Sequence, residues 1–245
     1  MSKLAIIGGT GLTKIPGLAI RDEIECDTKW GNPSSPLIIG EFSKQEILFL
    51  PRHGHPHVIP PHKVNYQANI QALYDHDVSQ IIAVNAVGGI TSEATPCKII
   101  IPDQIIDYTH GRIDTFYEDG LSEVMHIDFT SPYSEIVRDQ LIHAAEVCDI
   151  NIMRTGTYGV TQGPRLETAA EINKLERDGC DIVGMTSMPE ASLARELSIH
   201  YGCCALVVNW AAGKTDEIIT MEIIESNLQQ GMRNVLNLIE TLLSK

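Results

Sequence analysis

The sequence predicts an α/β fold in which helices cover a mostly parallel or mixed β-sheet. Short apolar runs alternate with amphipathic segments of helical period along the chain, a pattern typical of such folds. Several of these runs end in glycines or polar residues, and ligands of α/β proteins bind at such strand ends. No stretch has the composition of a linker, so we expect residues 1–245 to form a single domain.

Charge and composition restrict the classes of partner. The formal net charge of −14 argues against nucleic acid, because nucleic-acid-binding domains usually carry a basic face. No apolar run reaches the roughly 18 residues of a membrane span, and the N-terminal run is too brief for a signal peptide. The six cysteines show no Cys-x-x-Cys spacing, which favours reduced thiols. We therefore expect a cytoplasmic protein with no membrane or nucleic-acid partner.

The first half of the chain is predicted to contain four strands and one helix. The first strand, Lys3–Ile7, leads into Gly8-Gly-Thr-Gly11, which lacks the third small residue of a dinucleotide-binding fingerprint. The Thr10 hydroxyl and the backbone amides of this turn still suit an inorganic phosphate. The other elements follow in order: strands Leu37–Gly40 and Glu46–Leu50 around a turn at Ser43, helix Val64–Leu73, and strand Gln80–Val84 running into Asn85-Ala-Val-Gly-Gly89.

The second half continues the alternation after an irregular segment from His110 to Asp128. Its strands are predicted at Ile99–Ile101, Gln104–Asp107, Asn151–Tyr158 and Cys203–Val208, and the end of a further strand is predicted at the start of the segment Ile182–Glu190. Its helices are predicted at Tyr133–Val147, Glu167–Asp178, Ser187–Leu197 and Thr220–Leu243. Because polar residues or glycines follow most of these strands, we expect a ligand site at one edge of the sheet.

The segment Ile182–Glu190 indicates a strand that turns directly into a helix. Ser187 and Glu190 have the spacing of a capping box, and Pro189 suits a first turn that does not need its N–H. Free N–H groups and hydroxyls at such a junction can bind a phosphate, although an ordinary capped turn has the same pattern. In so acidic a chain the positive charge for an anion must be local, and Arg52 and Arg165 are the candidates.

The segment Pro51-Arg-His-Gly-His-Pro-His57 has three interpretations. His53, His55 and His57 at alternate positions would suit the metal of a metal-dependent hydrolase. Its glycine and prolines indicate a loop, where alternation means little, and Arg52 would repel a cation. A solvated loop is the second interpretation, and an anion site that uses Arg52 and His53 is the third. We favour the anion site and expect no metal.

Several longer motifs, taken together, resemble the trimeric purine nucleoside phosphorylase superfamily in its methylthioadenosine phosphorylase branch. The matching segments lie in the family's order over essentially the whole chain: Ile6–Leu12, Arg52–Gly54, Val64–Asn69, Gly163–Arg165, Met185–Thr186 and Pro189–Glu190. The resemblance implies a central mixed, partly barrel-like sheet flanked by helices, and a homotrimer. It also implies phosphorolysis of a nucleoside, with inorganic phosphate as co-substrate and no cofactor.

The resemblance also assigns site residues, position by position. It implies phosphate contacts from Thr10, Arg52, His53, Asn85, Ala86 and Thr186. It further implies that Met185 lies under the ribose, that the loop Asn209, Trp210 and Ala211 contacts the base, and that His126 of a neighbouring subunit approaches the 5′ end of the sugar. Asn85 departs from the human-type methylthioadenosine enzymes, which have threonine there.

Two departures from the adenine-specific relatives predict a 6-oxopurine base. Those relatives have aspartate and serine where this chain has Asn209 and Glu167, whereas 6-oxopurine phosphorylases have asparagine and glutamate. The Glu167 carboxylate can accept the N1–H of hypoxanthine, and the Asn209 amide can donate to N7 or O6. Adenine presents a lone pair at N1, and an unpaired buried polar group costs roughly 1–3 kcal/mol. We expect Glu167 to orient the base and Asn209 to stabilise charge on the leaving purine.

Met221 indicates the substituent at the 5′ carbon. Ordinary purine nucleoside phosphorylases have a histidine at the aligned position to hold the 5′-hydroxyl, whereas an apolar thioether suits a methylthio group. Core packing is the other explanation of Met221. A 6-oxopurine on a 5′-methylthio sugar is S-methyl-5′-thioinosine, whose phosphorolysis we predict as a step of purine salvage. The nearest alternatives are a methylthioadenosine phosphorylase and an inosine or guanosine phosphorylase.

Overall fold

Eleven strands and five α-helices are found within residues 3–118 and 124–244, the part of the chain that the computed structural model describes. The strands are β1 (Lys3–Gly8), β2 (Ala19–Ile24), β3 (Leu37–Phe42), β4 (Gln45–Pro51), β5 (Val78–Gly89), β6 (Ile99–Ile100), β7 (Gln104–Asp107), β8 (Ile152–Met153), β9 (Thr157–Val160), β10 (Ile182–Gly184) and β11 (His200–Trp210). The helices are α1 (Tyr66–Asp75), α2 (Glu135–Val147), α3 (Ala169–Arg177), α4 (Ser187–Glu196) and α5 (Met221–Leu243). The predicted α/β class is confirmed.

Strand β5 lies at the centre of one mixed sheet and divides it. On one edge, β1 pairs in parallel with β5 as far as Val84, and β10 pairs with Gly88 and Gly89 in the antiparallel sense. In the described part of the chain, residues 85–87 have no strand partner on that edge. The other edge pairs along its length with β11. The sheet therefore opens beside residues 85–87.

The remaining strands extend the sheet on both sides of this opening. The order is β2-β3-β4-β1-β5-β10-β9-β7; β11 connects β5 to β6, and β6 in turn pairs with β8. Strands β4, β1, β5 and β11 run parallel to one another, whereas β2/β3 and β3/β4 are antiparallel. The mixed sheet that the sequence predicts is confirmed.

Separate hydrophobic clusters cover the two faces of β5 and β11. Because side chains alternate along a strand, Ala83 and Cys203 pack on one face with residues of α1 and α4. Ile82 and Cys204 pack on the other face with residues of α2 and α5. Burial of both faces is expected where helices cover a parallel region from both sides. Among the described helices, none combines the length and apolar character that a membrane crossing requires.

The hairpin between β3 and β4 confirms the turn predicted at Ser43. Ser43 and Lys44 form its two-residue loop, with φ of 49° and 63°. Positive φ at both central residues is what a type I′ turn requires, and this turn matches the twist of the paired strands.

Three strand predictions are wrong. The sequence does not predict β2, because this edge strand exposes nearly all its side chains and shows no alternation. The predicted strand Asn151–Tyr158 is two strands, β8 and β9, which pair with different partners on either side of residues 154–156. Strand β5 continues through Gly88 and Gly89, where the glycines indicate the end of a strand.

Candidate active site

A cavity of about 270 Å³ lies where the sheet opens beside residues 85–87. Its wall comes from the ends of β1, β4, β5, β10 and β11 and from the start of α5. All but three of the residues predicted for the site line it: Thr10, Arg52, His53, Asn85, Ala86, Glu167, Met185, Thr186, Asn209, Ala211 and Met221. The fold thus gathers into one cavity residues that are distant in the sequence.

Arg52 and Glu190 form a fully buried ion pair at this cavity. Arg52 Nε lies 2.7 Å from one Glu190 carboxylate oxygen and 3.0 Å from the other, and Nη2 donates to the carboxylate at 2.9 Å. Nη1 donates to the Val84 carbonyl at 3.3 Å, where the pairing of β1 with β5 ends. Burial opposes the charge, but the Glu190 carboxylate raises the pKa of the guanidinium above its ordinary value. Arg52 therefore stays a cation in the cavity wall.

The predicted capping box of Ser187 and Glu190 is wrong. Glu190 pairs with Arg52 instead, and the Ser187 hydroxyl hydrogen-bonds the Tyr133 hydroxyl at 2.7 Å. Thr186 is the residue before α4 and makes no capping hydrogen bond, and Met188 departs from helical geometry with φ of −115° and ψ of 138°. The start of α4 is therefore held by buried contacts to other elements.

The hydroxyl of Thr186 lies opposite Asn85 across the opening. Asn85 Nδ2 donates to Thr186 Oγ1 at 2.8 Å, and both residues are buried. The turn after β1 completes this end of the cavity with Gly9 and Thr10. A Cβ at Gly9 would lie 2.9 Å from Arg52 Nη1 and 2.6 Å from a backbone oxygen, so glycine allows the turn to approach the guanidinium. Hydroxyls and a guanidinium thus converge at one end of the cavity.

His53 contributes a neutral imidazole to the same end. Its Nδ1 lies 2.8 Å from the Ile59 carbonyl oxygen, which can only accept, so Nδ1 carries the hydrogen. Burial, and then the adjacent Arg52 charge, lower the pKa of His53 to about 4. The ring stacks on His57 with 4.4 Å between centroids. Within residues 3–118 and 124–244, no group of three or more His, Cys, Asp or Glu side chains could hold a metal ion.

Glu167 and Asn209, predicted to recognise the base, both line the cavity. Thr161 Oγ1 donates to Glu167 Oε1 at 2.6 Å, so one carboxylate oxygen is already held. Asn209 Nδ2 donates to the Trp210 carbonyl at 2.7 Å, and this amide lies beside Gly88 of β5. Glu167 also lines a neighbouring surface cleft of about 520 Å³ between Tyr108 and Lys174. Glu167 therefore lies between the cavity and this surface cleft.

The start of α5 gives the cavity an apolar wall. Met221 is 59% exposed while it lines the cavity, so core packing is the wrong explanation of this residue. Ile219 and Ile224 line the same cavity, and the sequence analysis did not identify them. Thr220 fixes the position of this wall, because its side chain caps α5 by accepting from the Ile223 N–H at 3.3 Å.

Arg112 is a functional candidate that the sequence analysis missed. Its Nη1 donates to the carbonyls of Met185 at 2.8 Å and Met188 at 2.6 Å, and its Nη2 donates to the Gln162 carbonyl at 2.8 Å. It thus joins the start of α4 and the residue Met185 before it to the segment that leads to Glu167. No sequence pattern identifies an arginine that contacts aromatic rings and backbone carbonyls in this way, because the residues that it contacts lie far along the chain.

Three predicted residues lie away from the cavity. Trp210 is not among the lining residues and contributes its carbonyl to Asn209. Arg165, proposed as a local charge for the anion, pairs instead with Glu171 at 2.7 and 2.8 Å in the exposed cap of α3. His126 is exposed and does not line the cavity.

Comparisons with known proteins agree on one family. Residues 3–244 match the Phosphorylase superfamily. The chain is 54% identical over 235 residues to a probable S-methyl-5′-thioinosine phosphorylase of Pseudomonas syringae pv. tomato, covering 96% of each protein. It is 42% identical over 244 residues to a 6-oxopurine nucleoside phosphorylase of Pyrococcus furiosus, covering 98% of this chain and 91% of that one. Methylthioadenosine phosphorylase from Schistosoma mansoni in complex with adenine has a TM-score of 0.95 at 30% identity, covering 99% and 91%.

Replacing Glu190 should destabilise the fold strongly. Glu190→Gln leaves Arg52 buried without its counterion, and we expect the free energy of unfolding to fall by about 3–5 kcal/mol. The control is Glu146→Gln, which removes an exposed ion pair with Arg154 and should cost less than about 1 kcal/mol. Urea unfolding of both variants measures the difference. Equal losses would contradict the assignment of Arg52 and Glu190 as a buried pair.

The buried His53 should make the fold sensitive to acid. Its pKa is about 4 in the folded chain and about 6.5 in the unfolded chain, so the unfolded state binds more protons between these values. Stability should therefore fall as the pH drops through this interval, by roughly 3 kcal/mol from this residue. His53→Asn should remove that part of the slope in unfolding experiments. The exposed His55→Asn should keep it, and an unchanged slope in His53→Asn would refute the assignment.

Proposed function

The chain belongs to the phosphorylase superfamily, and we propose that it catalyses the phosphorolysis of S-methyl-5′-thioinosine to hypoxanthine and 5-methylthio-ribose 1-phosphate. As a nucleoside phosphorylase it is a pentosyltransferase. The observation that carries the choice of substrate is one cavity lined by Glu167, Asn209 and Met221 together with the anion-binding groups Arg52 and Thr186. The name of the Pseudomonas syringae relative supports the same substrate.

At the phosphate end, the proposed contacts are Thr10, Arg52, His53, Thr186 and the backbone of Ala86. Because Arg52 is already paired with Glu190, it adds little net positive charge to the cavity. Its contribution is to present N–H donors to the anion in a fixed orientation. Its contacts to Glu190 and Val84 use three of the five guanidinium N–H groups. The remaining two are oriented for an anion by the same rigid pairing.

The reaction is a substitution at the anomeric carbon of the sugar. A phosphate oxygen attacks as the bond to the purine lengthens, and an oxocarbenium-like ribosyl group forms between them. The negative charge of phosphate stabilises that cation, so fixed placement of the anion is a large part of catalysis. Met185 would lie under the ribose and hold the sugar between the phosphate end and the base end of the cavity.

The purine leaves with negative charge, which Asn209 and Glu167 would accommodate in different ways. One N–H of Asn209 is held by the Trp210 carbonyl, and the other can donate to N7 or O6 as charge develops. Thr161 holds one oxygen of Glu167, which leaves the other to accept N1–H. An oxopurine anion is delocalised onto O6, so no titrating general acid is needed.

The 5′ substituent would lie against Ile219, Met221 and Ile224. These side chains offer no partner for a hydroxyl, and a sulfur with its methyl group packs well against them. An inosine 5′-hydroxyl would lose hydrogen bonds to water at this wall. Ribose with a 5′-methylthio group is therefore preferred over unmodified ribose.

The proposal includes a homotrimer in the cytoplasm, with no cofactor and with phosphate as co-substrate. His126 is exposed, as a residue that serves a neighbouring subunit must be. All six cysteines are free, which agrees with a reducing compartment.

Base release from three nucleosides, each with and without inorganic phosphate, tests the proposed function. We expect phosphate-dependent hypoxanthine release with a kcat/KM for S-methyl-5′-thioinosine at least roughly 10-fold above those for methylthioadenosine and inosine, since each rival leaves a polar group unpaired. A preference for methylthioadenosine would refute the base assignment. A preference for inosine would refute the assignment of Met221, and release without phosphate would refute phosphorolysis and favour a hydrolase.

A double variant tests whether Glu167 and Asn209 select the base. Glu167→Ser with Asn209→Asp removes the acceptor for N1–H and introduces one for the adenine amino group or N7–H. The ratio of kcat/KM for methylthioinosine over methylthioadenosine should fall at least roughly 10-fold. Met221→His is the matched control, because it should favour inosine over methylthioinosine and leave the base preference unchanged. If the double variant kept the ratio of the parent, Glu167 and Asn209 would not select the base.

A further inference from the structure

A chain of hydrogen bonds lies behind the phosphate end of the cavity. Cys203 Sγ donates to Asn85 Oδ1 at 3.6 Å, and Asn85 Nδ2 donates to Thr186 Oγ1 at 2.8 Å. Cys203 and Asn85 are 0% and 1% exposed, and Thr186 is 7% exposed. Of these three residues, Asn85 and Thr186 line the cavity and Cys203 does not. Cys203 can therefore influence the cavity only through its hydrogen bond to Asn85.

The sheet register brings Cys203 next to Asn85. In the parallel pairing of β5 with β11, Asn85 lies opposite Ala205, two residues from Cys203. Side chains two residues apart point to the same face of a strand, so Cys203 and Asn85 share a face and Cys204 points to the other. The cluster memberships agree, because Cys203 and Cys204 belong to different hydrophobic cores.

The chemistry of the groups gives the chain one direction. Asn85 Oδ1 can only accept, so the thiol must be the donor in that contact. Burial raises the pKa of the Cys203 thiol well above its ordinary value, so the thiol keeps its proton. With Oδ1 occupied by the thiol, the amide presents Nδ2 to Thr186. The Thr186 oxygen therefore accepts, and its own hydrogen points away from Asn85.

This direction matters because phosphate oxygens mainly accept hydrogen bonds. A Thr186 hydroxyl that donated to its neighbour would present lone pairs to the anion and weaken binding. Resting on the proposed function, we propose that Asn85 and Cys203 are positioning residues, which act on phosphate through Thr186 by fixing its hydroxyl as a donor into the cavity. Asn85 then has its effect without being the principal phosphate ligand itself.

A double-mutant cycle separates action through Thr186 from direct contact. The variants are Asn85→Ala, Thr186→Val and the two combined, each measured for the KM of phosphate and the KM of methylthioinosine. Asn85→Ala alone should raise the phosphate KM roughly 10-fold, the effect of a hydrogen bond to a charged group, with the nucleoside KM within about twofold. In the Thr186→Val background it should change the phosphate KM by less than about twofold.

Two outcomes of the cycle would overturn the proposal. The same factor in both backgrounds would make Asn85 a direct phosphate ligand. Equal rises in both KM values would indicate general damage to the structure. Base release by the unmodified enzyme in the absence of phosphate would refute the proposed function instead. This release is measured before any variant is made.

The cysteines provide a second test that leaves Asn85 intact. Cys203→Ala removes the donor to Asn85 Oδ1 and should raise the phosphate KM about two- to fivefold, the range of a weak hydrogen bond. Cys203→Ser restores an O–H donor and should return the value to within about twofold of the parent. Cys204→Ala, on the opposite face of β11, is the matched control and should change neither KM. A phosphate KM that is unaffected by Cys203→Ala, or equally raised by Cys204→Ala, would refute the role of the thiol.

Discussion

The buried ion pair between Arg52 and Glu190 is the interaction on which the geometry of the cavity depends. It joins the loop after β4 to α4, and the same guanidinium contacts the carbonyl of Val84, where β1 stops pairing with β5. Replacing a buried ion pair by apolar residues is often neutral or stabilising, so stability alone does not explain this pair. The position of the pair in the cavity wall explains it, because Glu190 holds the Arg52 cation in one orientation and provides its counterion.

The opening of the sheet explains why polar residues from several strands meet there. An uninterrupted sheet would pair the whole edge of β5, but β1 ends at a glycine turn and β10 approaches from the opposite direction. On that edge of β5, no described strand pairs with residues 85–87, so their polar groups there must be satisfied by something other than a strand. A bound anion can satisfy them, and the surrounding helices supply the rigid walls.

Local patterns predict elements well and predict contacts between distant elements poorly. Thr168 and Glu171 have the spacing of a capping box, as do Ser187 and Glu190. Only the first forms, because its partners are local. In the second, Glu190 bonds Arg52, 138 positions away, and Ser187 bonds Tyr133, 54 positions away. Arg112 was missed for the same reason, since the carbonyls that it joins are far along the chain.

The balance of charge in the cavity shows which site chemistry the sequence could and could not reveal. The resemblance supplied positions such as Thr10 and Arg52, but the charge of Arg52 is cancelled by Glu190 and His53 is neutral. In a chain with a formal net charge of −14, the proposed phosphate site therefore depends less on net positive charge than on donors that point towards the anion. The direction of a hydroxyl depends on what its oxygen accepts, and that partner is set by strand register. Composition and motif can identify a threonine at such a site, whereas only the packed structure determines whether it donates.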